Sequence, residues 1–224
     1  MNYSWLLFDA DGTLFDFDLA EKLALQSVLE YLDQPFNAHA YETYKTINMQ
    51  LWQDFEKGNI KQAEIKTQRF AQWLDTLSIQ ANVEDVSQHY VHQLAIQGPL
   101  LEGALELVQI LSKKYKMLLL TNGLKEVQRP RFNASILKPY FVDIVVSGEV
   151  GVAKPEAGIF DISFERMGNP NKQDVLIIGD SLSADIQGGL NYAIDTCWYN
   201  PQNATTDLPI THVINALNQL QNIL

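Results

Sequence analysis

Trp5-Leu6-Leu7-Phe8-Asp9-Ala10-Asp11-Gly12-Thr13-Leu14 begins with four apolar residues, followed at once by two acids and a glycine. A short apolar run ending in charge is the pattern of a strand buried on both faces whose carboxyl end reaches a site. Where the chain turns after it, Asp9 and Asp11 can address one small centre. One can attack while the other exchanges a proton with a leaving oxygen. Gly12 frees the backbone for that turn. Taken alone, the stretch is moderately specific, and a simple Asp-Gly turn after a buried strand is the plainer alternative.

The same pattern returns three times along the chain. Lys116 to Thr121 (KMLLLT) ends in Asn122-Gly123, Asp143 to Ser147 (DIVVS) ends in Gly148, and Asp174 to Ile178 (DVLII) ends in Gly179-Asp180-Ser181. Helical periodicity covers about 103–114, 124–137, 156–167 and 183–193. Strands alternating with helices predict parallel βαβ units, hence an α/β fold with a doubly wound sheet. Ligands of such sheets sit at the carboxyl ends of the strands, where these polar endings fall.

Residues 17–98 read differently, with no apolar strand run. Amphipathic helices fit roughly 18–32, 38–56, 61–77 and 83–97. Leu19, Leu23, Val28 and Leu32 are assigned to one face of the first, and Asn37 and Asn82 serve as caps for the second and fourth. Glu56-Lys57-Gly58-Asn59 reads as a turn, and Gly98-Pro99 closes the block. An all-helical segment between the first two strands is an insertion, most simply a small bundle. The expected organisation is a core of 1–16 with 99–224 and an inserted domain of 17–98. Asn200 to Pro209 is a loop before a final short strand and helix.

The 224 residues suit one domain carrying an inserted second, and a 46% hydrophobic share supports packed cores. Sixteen Lys and Arg against 27 Asp and Glu give a net charge of −11, with no basic block, so nucleic acid and anionic membranes are poor partners. A phosphate ligand would need local cations. The single cysteine, Cys197 in the apolar run Thr196-Cys197-Trp198-Tyr199, excludes an internal disulfide and reads as a small buried hydrophobe. Met1-Asn2-Tyr3-Ser4 carries no basic start and no long apolar stretch, so neither a signal peptide nor a membrane span is expected, and a cytoplasmic location follows as the default. His39, His89, His92 and His212 stand away from every motif and read as surface or satisfied polar residues.

Three further clusters carry chemistry. Thr121-Asn122-Gly123 sets a hydroxyl and free N–H groups at a helix start, good phosphate chemistry that a plain helix cap would also explain. Lys154, before Pro155, can neutralise a phosphate and nearby carboxylates, although a solvated lysine would look the same. Asp180 can ligate a hard cation, and Asp185 falls one turn into the next helix, where it can face the same centre. Two acids favoured by a helix dipole would give that pattern too.

In this fixed order, DxDGT, Thr-Asn, Lys-Pro and GDxxxxD resemble the haloacid dehalogenase superfamily over the whole chain. The resemblance implies a Rossmann-like core with a helical cap inserted after the first motif. It implies Asp9 as nucleophile and metal ligand, and Asp11 as general acid and base with its backbone carbonyl on the metal. Thr121 and Lys154 would hold the phosphate, aided by Asn122 and Gly123. Asp180 would be the remaining metal carboxylate and Asp185 its partner. The implied cofactor is Mg²⁺, with Mn²⁺ able to substitute, and the implied intermediate is a phospho-aspartate. Asp11 sets the phosphatases apart from the superfamily's dehalogenases.

A closer resemblance is to the YjjG-type pyrimidine 5′-nucleotidases. It rests on Phe8-Asp9-Ala10-Asp11, Leu51-Trp52 with Gly58, Arg69-Phe70, Trp73, Glu149 to Pro155, Gly168-Asn169-Pro170 and Thr196-Cys197-Trp198. Some members of that group carry an acid where Gly12 stands. The implied substrate is a small phosphate ester, a nucleoside monophosphate such as UMP, dUMP or dTMP. Asn48, Trp52 and Arg69 are the candidate base or ribose contacts, and the 56–59 turn is expected to hang over the strand ends. Trp52 and Trp73 fit core packing of the insertion as well. Sugar-phosphate or phosphoglycolate phosphatase, phosphomutase and inactive interaction protein stay open as alternatives. A dinucleotide-binding oxidoreductase is excluded, because the first strand lacks GxGxxG.

Overall fold

The computed structural model describes residues 3–224; Met1 and Asn2, the start of the N-terminal stretch read above, lie outside the described residues. Along the chain come strand β1 (Trp5–Phe8), helices α1 (Phe17–Tyr31), α2 (Ala38–Glu56), α3 (Gln62–Thr76), α4 (Val83–Ile96) and α5 (Ala104–Leu111), then β2 (Lys116–Thr121) and α6 (Lys125–Ala134). There follow β3 (Ile144–Val146), the one-turn α7 (Ser147–Val150), α8 (Ala157–Met167), β4 (Val175–Gly179), a π-helical turn at Leu182–Ile186 running into α9 (Gln187–Tyr192), β5 (Asp195–Tyr199), β6 (His212–Ile214) and α10 (Leu220–Ile223). The chain divides into two compact units, Met1–Phe17 with Gly98–Leu224, and Asp18–Gln97.

The first unit is an α/β structure around a six-stranded sheet in the order β3-β2-β1-β4-β5-β6, with every pairing parallel. Alternation along each strand decides the packing. Leu6, Phe8, Met117, Leu119, Leu176 and Ile178 share one face with Leu107, Val108 and Leu111 of α5. Trp5, Leu7, Leu118, Leu120, Val175 and Ile177 share the other with Ile159, Phe160 and Phe164 of α8. A sheet covered on both faces needs runs that are apolar throughout, which is why these strands do not alternate polar with apolar.

Two strands differ from expectation by a residue or two. Asp143 falls just before β3; its carbonyl still accepts from the Leu119 N–H at 3.1 Å, and Arg129 and Arg166 hold its carboxylate at 3.0 and 2.6 Å. Asp174 ends a short 3₁₀ turn, so β4 begins at Val175 and extends to Gly179, which pairs with Trp198. β5 was read only as an apolar run around a buried cysteine. It is a full strand, and Cys197 is buried within it, its thiol pushed up to about 12 by burial.

The second unit is helical. Asn37 accepts from the Ala40 N–H at 2.9 Å, and Asn82 accepts from the N–H groups of Glu84 and Asp85 at 2.9 and 3.2 Å, capping α2 and α4. Its interior is aromatic. Tyr44, Phe70, Trp73 and Tyr90 pack with ring centroids 5.1–6.0 Å apart, and Trp73 Nε1 donates to the Ala40 carbonyl at 2.8 Å. The apolar face assigned to α1 was wrong. Its buried residues are Ala20, Glu21, Ala24, Leu25, Val28 and Leu29, whereas Leu19 and Leu23 are 42% and 37% exposed. At about 100° per residue, Val28 stands on the opposite side of a helix from Leu19. His89 is satisfied within the unit by Ser27 at 3.0 Å and by stacking on Tyr31.

Glu21 is buried beside Asn48, whose Nδ2 donates to it at 2.9 Å. Burial pushes its carboxyl up to about 7, against the opposing field of Arg69. A carboxyl raised by folding contributes stability that is fully present below its unfolded value and is lost as pH rises through its folded one. The gap from 4.5 to about 7 bounds the loss at roughly 3 kcal/mol. Thermal melts from pH 5 to 8 should therefore fall less steeply for Glu21→Gln than for wild type. Equal slopes would mean that Glu21 ionises as if it were in water.

Candidate active site

β1, β2 and β4 lie side by side, so the residues following Phe8, Thr121 and Gly179 emerge at one sheet edge. Asp9 continues β1, its N–H donating to the Ile178 carbonyl at 2.8 Å. Lys154 is buried and donates from Nζ to Asp9 Oδ1 at 2.5 Å, to Asp185 Oδ1 at 2.6 Å and to the Leu120 carbonyl at 2.7 Å. Those three bonds use its three N–H donors. Asp185 is fully buried, and its Oδ2 accepts from the Ser181 N–H at 3.0 Å. Thr121 is 1% exposed at the end of β2, two residues beyond the Phe8–Leu119 pair.

Carboxylate oxygens of Asp9, Asp180 and Asp185 lie within 4.8 Å of one another. Three acids and one lysine leave the cluster short of positive charge. Burial holds the Asp9 carboxyl well above the usual range, and Asp185 and Asp180 add to this while Lys154 opposes it. Asp180 is exposed, yet desolvation by the surrounding protein, together with Asp185, pushes its carboxyl up to about 7. Burial works against the Lys154 charge, but Asp185 and Asp9 outweigh it and hold the ammonium above its ordinary range. Under-compensated carboxylate oxygens, two of the three groups buried, suit a hard divalent cation, and Asp9, Asp180 and Asp185 could hold one.

Two glycines make this packing possible. Gly12 has φ +79°, and a Cβ there would lie 2.5 Å from Asp180 Oδ2; a Cβ on Gly179 would lie 2.2 Å from Asp185 Oδ2. Thr13 donates to Asp180 Oδ1 at 3.2 Å, and Trp198 Nε1 donates to the Asp180 carbonyl at 2.9 Å. Neither Thr13 nor Trp198 was singled out as a site residue from the sequence.

Asp11 stands outside the carboxylate cluster. Gln128 Nε2 donates to its Oδ2 at 2.6 Å, and Arg131 Nη2 donates to its Oδ1. Asn122 braces the Lys154 backbone, its Nδ2 donating to the Lys154 carbonyl and its Oδ1 accepting from the Lys154 N–H, both at 2.8 Å. The Gly123 N–H, expected to be free for phosphate, donates to Ser147 Oγ at 3.1 Å.

The three residues singled out in the helical unit divide differently. Asn48 and Arg69 are buried together, Arg69 Nη1 donating to Asn48 Oδ1 at 3.3 Å. With Nδ2 on Glu21, both ends of the Asn48 amide are engaged inside the unit. Trp52 is half-buried and packs edge-on against Phe55 at 5.7 Å.

Comparison with known proteins fits this geometry. Residues 3–192 match the model of the haloacid dehalogenase-like hydrolase family. The HAD-hydrolase YfnB of Bacillus subtilis is 38% identical over 99% of this chain and 95% of its own. A crystal structure of YfnB bound to magnesium superposes with a TM-score of 0.94 at 37% identity, covering 100% of this chain and 99% of that one. The pyrimidine 5′-nucleotidase YjjG of Escherichia coli is 33% identical over 100% of this chain and 99% of its own. The pyrimidine 5′-nucleotidase PynA of Streptococcus pneumoniae is 37% identical over 91% and 86%. Among the described residues, no helix is long and apolar enough to cross a membrane. With its motifs at one sheet edge and a family match running from residue 3 to 192, the chain is an enzyme of the haloacid dehalogenase-like hydrolase family.

Proposed function

We propose that the chain is a Mg²⁺-dependent phosphatase that acts on pyrimidine nucleoside 5′-monophosphates through a phospho-aspartate on Asp9. The observation that carries the phosphatase reading is the buried Asp9–Lys154–Asp185 cluster, with Asp180 beside it and a second acid, Asp11, two residues from the first. A carboxylate oxygen of Asp9 forms a bond to phosphorus. The ester P–O bond breaks with its electron pair on the leaving oxygen, which takes a proton from Asp11. Asp11 then takes a proton from the water that attacks the same phosphorus, freeing Asp9 and inorganic phosphate. Lys154 and Thr121 hold the phosphoryl oxygens, and Lys154 offsets the repulsion between two anions. Mg²⁺ (or Mn²⁺), held by Asp9, Asp180 and the Asp11 carbonyl with Asp185 in support, would add further charge stabilisation.

Specificity is assigned to the helical unit in the role of a cap. The similarity to YjjG and PynA supports a pyrimidine nucleotide. Trp52 keeps surface on which a base could stack, while Asn48 and Arg69 are buried and bonded inside the unit. A phosphate-release panel tests both levels. UMP and dTMP should give higher kcat/KM than AMP or hexose phosphates, with activity lost in EDTA and restored by Mg²⁺. A preference for hexose phosphates or phosphoglycolate would end the pyrimidine reading and leave the phosphatase standing. Full activity after thorough chelation would end the metal's part in it.

A further inference from the structure

Helix α6 has a polar face that the proposed reaction does not yet use. Gln128 and Arg131 are three residues apart, hence neighbours on one helix face, and only 4% and 2% exposed. Both point at Asp11. Each Asp11 carboxylate oxygen receives one of their donors, and Arg131 Nη2 also donates to Gln128 Oε1 at 2.8 Å. The three side chains therefore close a ring of hydrogen bonds. The Arg131–Gln128 bond fixes which end of the amide faces Asp11.

The surroundings are shaped for this ring. The Arg131 guanidinium lies 4.8 Å over the ring of Phe15, a buried residue that bridges to Asp11 in the backbone. A Cβ at position 123 would come within 2.6 Å of Gln128 Nε2, so Gly123 leaves the room through which Gln128 passes. Arg131 Nε and Nη1 are buried with no hydrogen-bond partner among the described residues. A guanidinium buried for stability would pair its donors, since each orphan costs about 1–3 kcal/mol. This one leaves two of its three nitrogens unpaired among the described residues and directs the third, Nη2, at Asp11 and Gln128.

We propose that Gln128 and Arg131 are positioning residues that fix the plane of the Asp11 carboxyl group, so that it meets the leaving oxygen in the right orientation. The proposal rests on Asp11 acting as the proton donor of the reaction above. Neither residue touches the reacting phosphoryl group in this account. They act through Asp11, so their loss should be felt most where proton donation matters most. The 5′-oxygen of a nucleotide leaves as an alkoxide and needs that proton. A p-nitrophenolate leaves without one.

The experiment is the ratio of kcat/KM for UMP to that for p-nitrophenyl phosphate, a quantity that reports steps up to transfer onto Asp9. It is measured in wild type, Asp11→Asn, Gln128→Met, Arg131→Met and Arg131→Lys. General acid catalysis contributes about 10²–10⁴-fold. The ratio should therefore fall roughly 10²-fold or more in Asp11→Asn, by at least about tenfold in Gln128→Met and Arg131→Met, and by less in Arg131→Lys. A structural role alone would lower both substrates together and leave the ratio unchanged. If Arg131→Met does not fold, Gln128→Met and Arg131→Lys carry the test with a cation in place. A ratio that falls in Asp11→Asn and holds in the α6 variants overturns the positioning role and spares the mechanism. A ratio that holds in Asp11→Asn as well removes the mechanism on which the proposal rests.

Discussion

Asp9→Asn is expected to lower kcat by several orders of magnitude while the protein still folds. An amide cannot attack phosphorus as a carboxylate does, and removing a covalent nucleophile generally costs on the order of 10⁴–10⁶ in turnover. The fold should survive because the amide oxygen can still accept from Lys154, which keeps Asp185 and the Leu120 carbonyl as partners. The carboxylate that Asn removes is also one that burial and two neighbouring acids disfavour. The measurement is steady-state turnover with circular dichroism on the same sample. Residual activity within about tenfold of wild type would remove Asp9 from the chemistry.

Lys154→Met should affect both stability and activity. Lys154 Nζ is the hydrogen-bonding cation inside this cluster, bonded to two buried carboxylates and one buried carbonyl. Removing one partner of a buried ion pair costs about 3–5 kcal/mol, because the remaining charge is left without compensation. The sign of the pH dependence follows. Without the ammonium, folding raises the Asp9 carboxyl further, so the stability it allows is present at low pH and is lost as pH rises. The melting-temperature gap between wild type and Lys154→Met should thus widen from pH 5 to pH 8. A constant gap would mean that the lysine matters for packing and not for charge.

The α/β fold was legible because its decisive signal is local. Each core strand is buried on both faces, so each appears as an unbroken apolar run ending at a polar residue. β5 was missed because Asp195 and Thr196 begin it with polar atoms, and its apolar character is confined to Cys197, Trp198 and Tyr199. The α1 face was misplaced because leucines were preferred to alanines. Ala20 and Ala24 are fully buried, and short side chains let neighbouring elements approach closely.

The cluster of Asp9, Lys154, Asp180 and Asp185 could be read ahead because each residue sits in a short motif that contains glycine or proline. Gln128, Arg131 and Trp198 lie outside those motifs, and Thr13, beside Gly12 in the first motif, reads as part of its turn. Gln128 and Arg131 are polar residues within a helix, which local hydropathy reads as a solvated face. The available signal was their i, i+3 spacing in the helix that follows Thr121-Asn122-Gly123, at the same sheet edge as Asp11. Asn48 and Arg69 were singled out as polar residues for ligand contact. Their burial with Glu21 depends on α1, α2 and α3 meeting, which no single stretch of sequence reports.

On the proposed mechanism Asp9 carries the phosphoryl group in transit. Mixing the enzyme with radiolabelled UMP, quenching in acid within the first turnover and mapping the peptides by mass spectrometry tests this directly. The account predicts a protein-bound, acid-stable phosphoryl group on the peptide containing Asp9, absent from Asp9→Asn. A full equivalent of uridine released with no label on the protein, or label on any other residue, would contradict it.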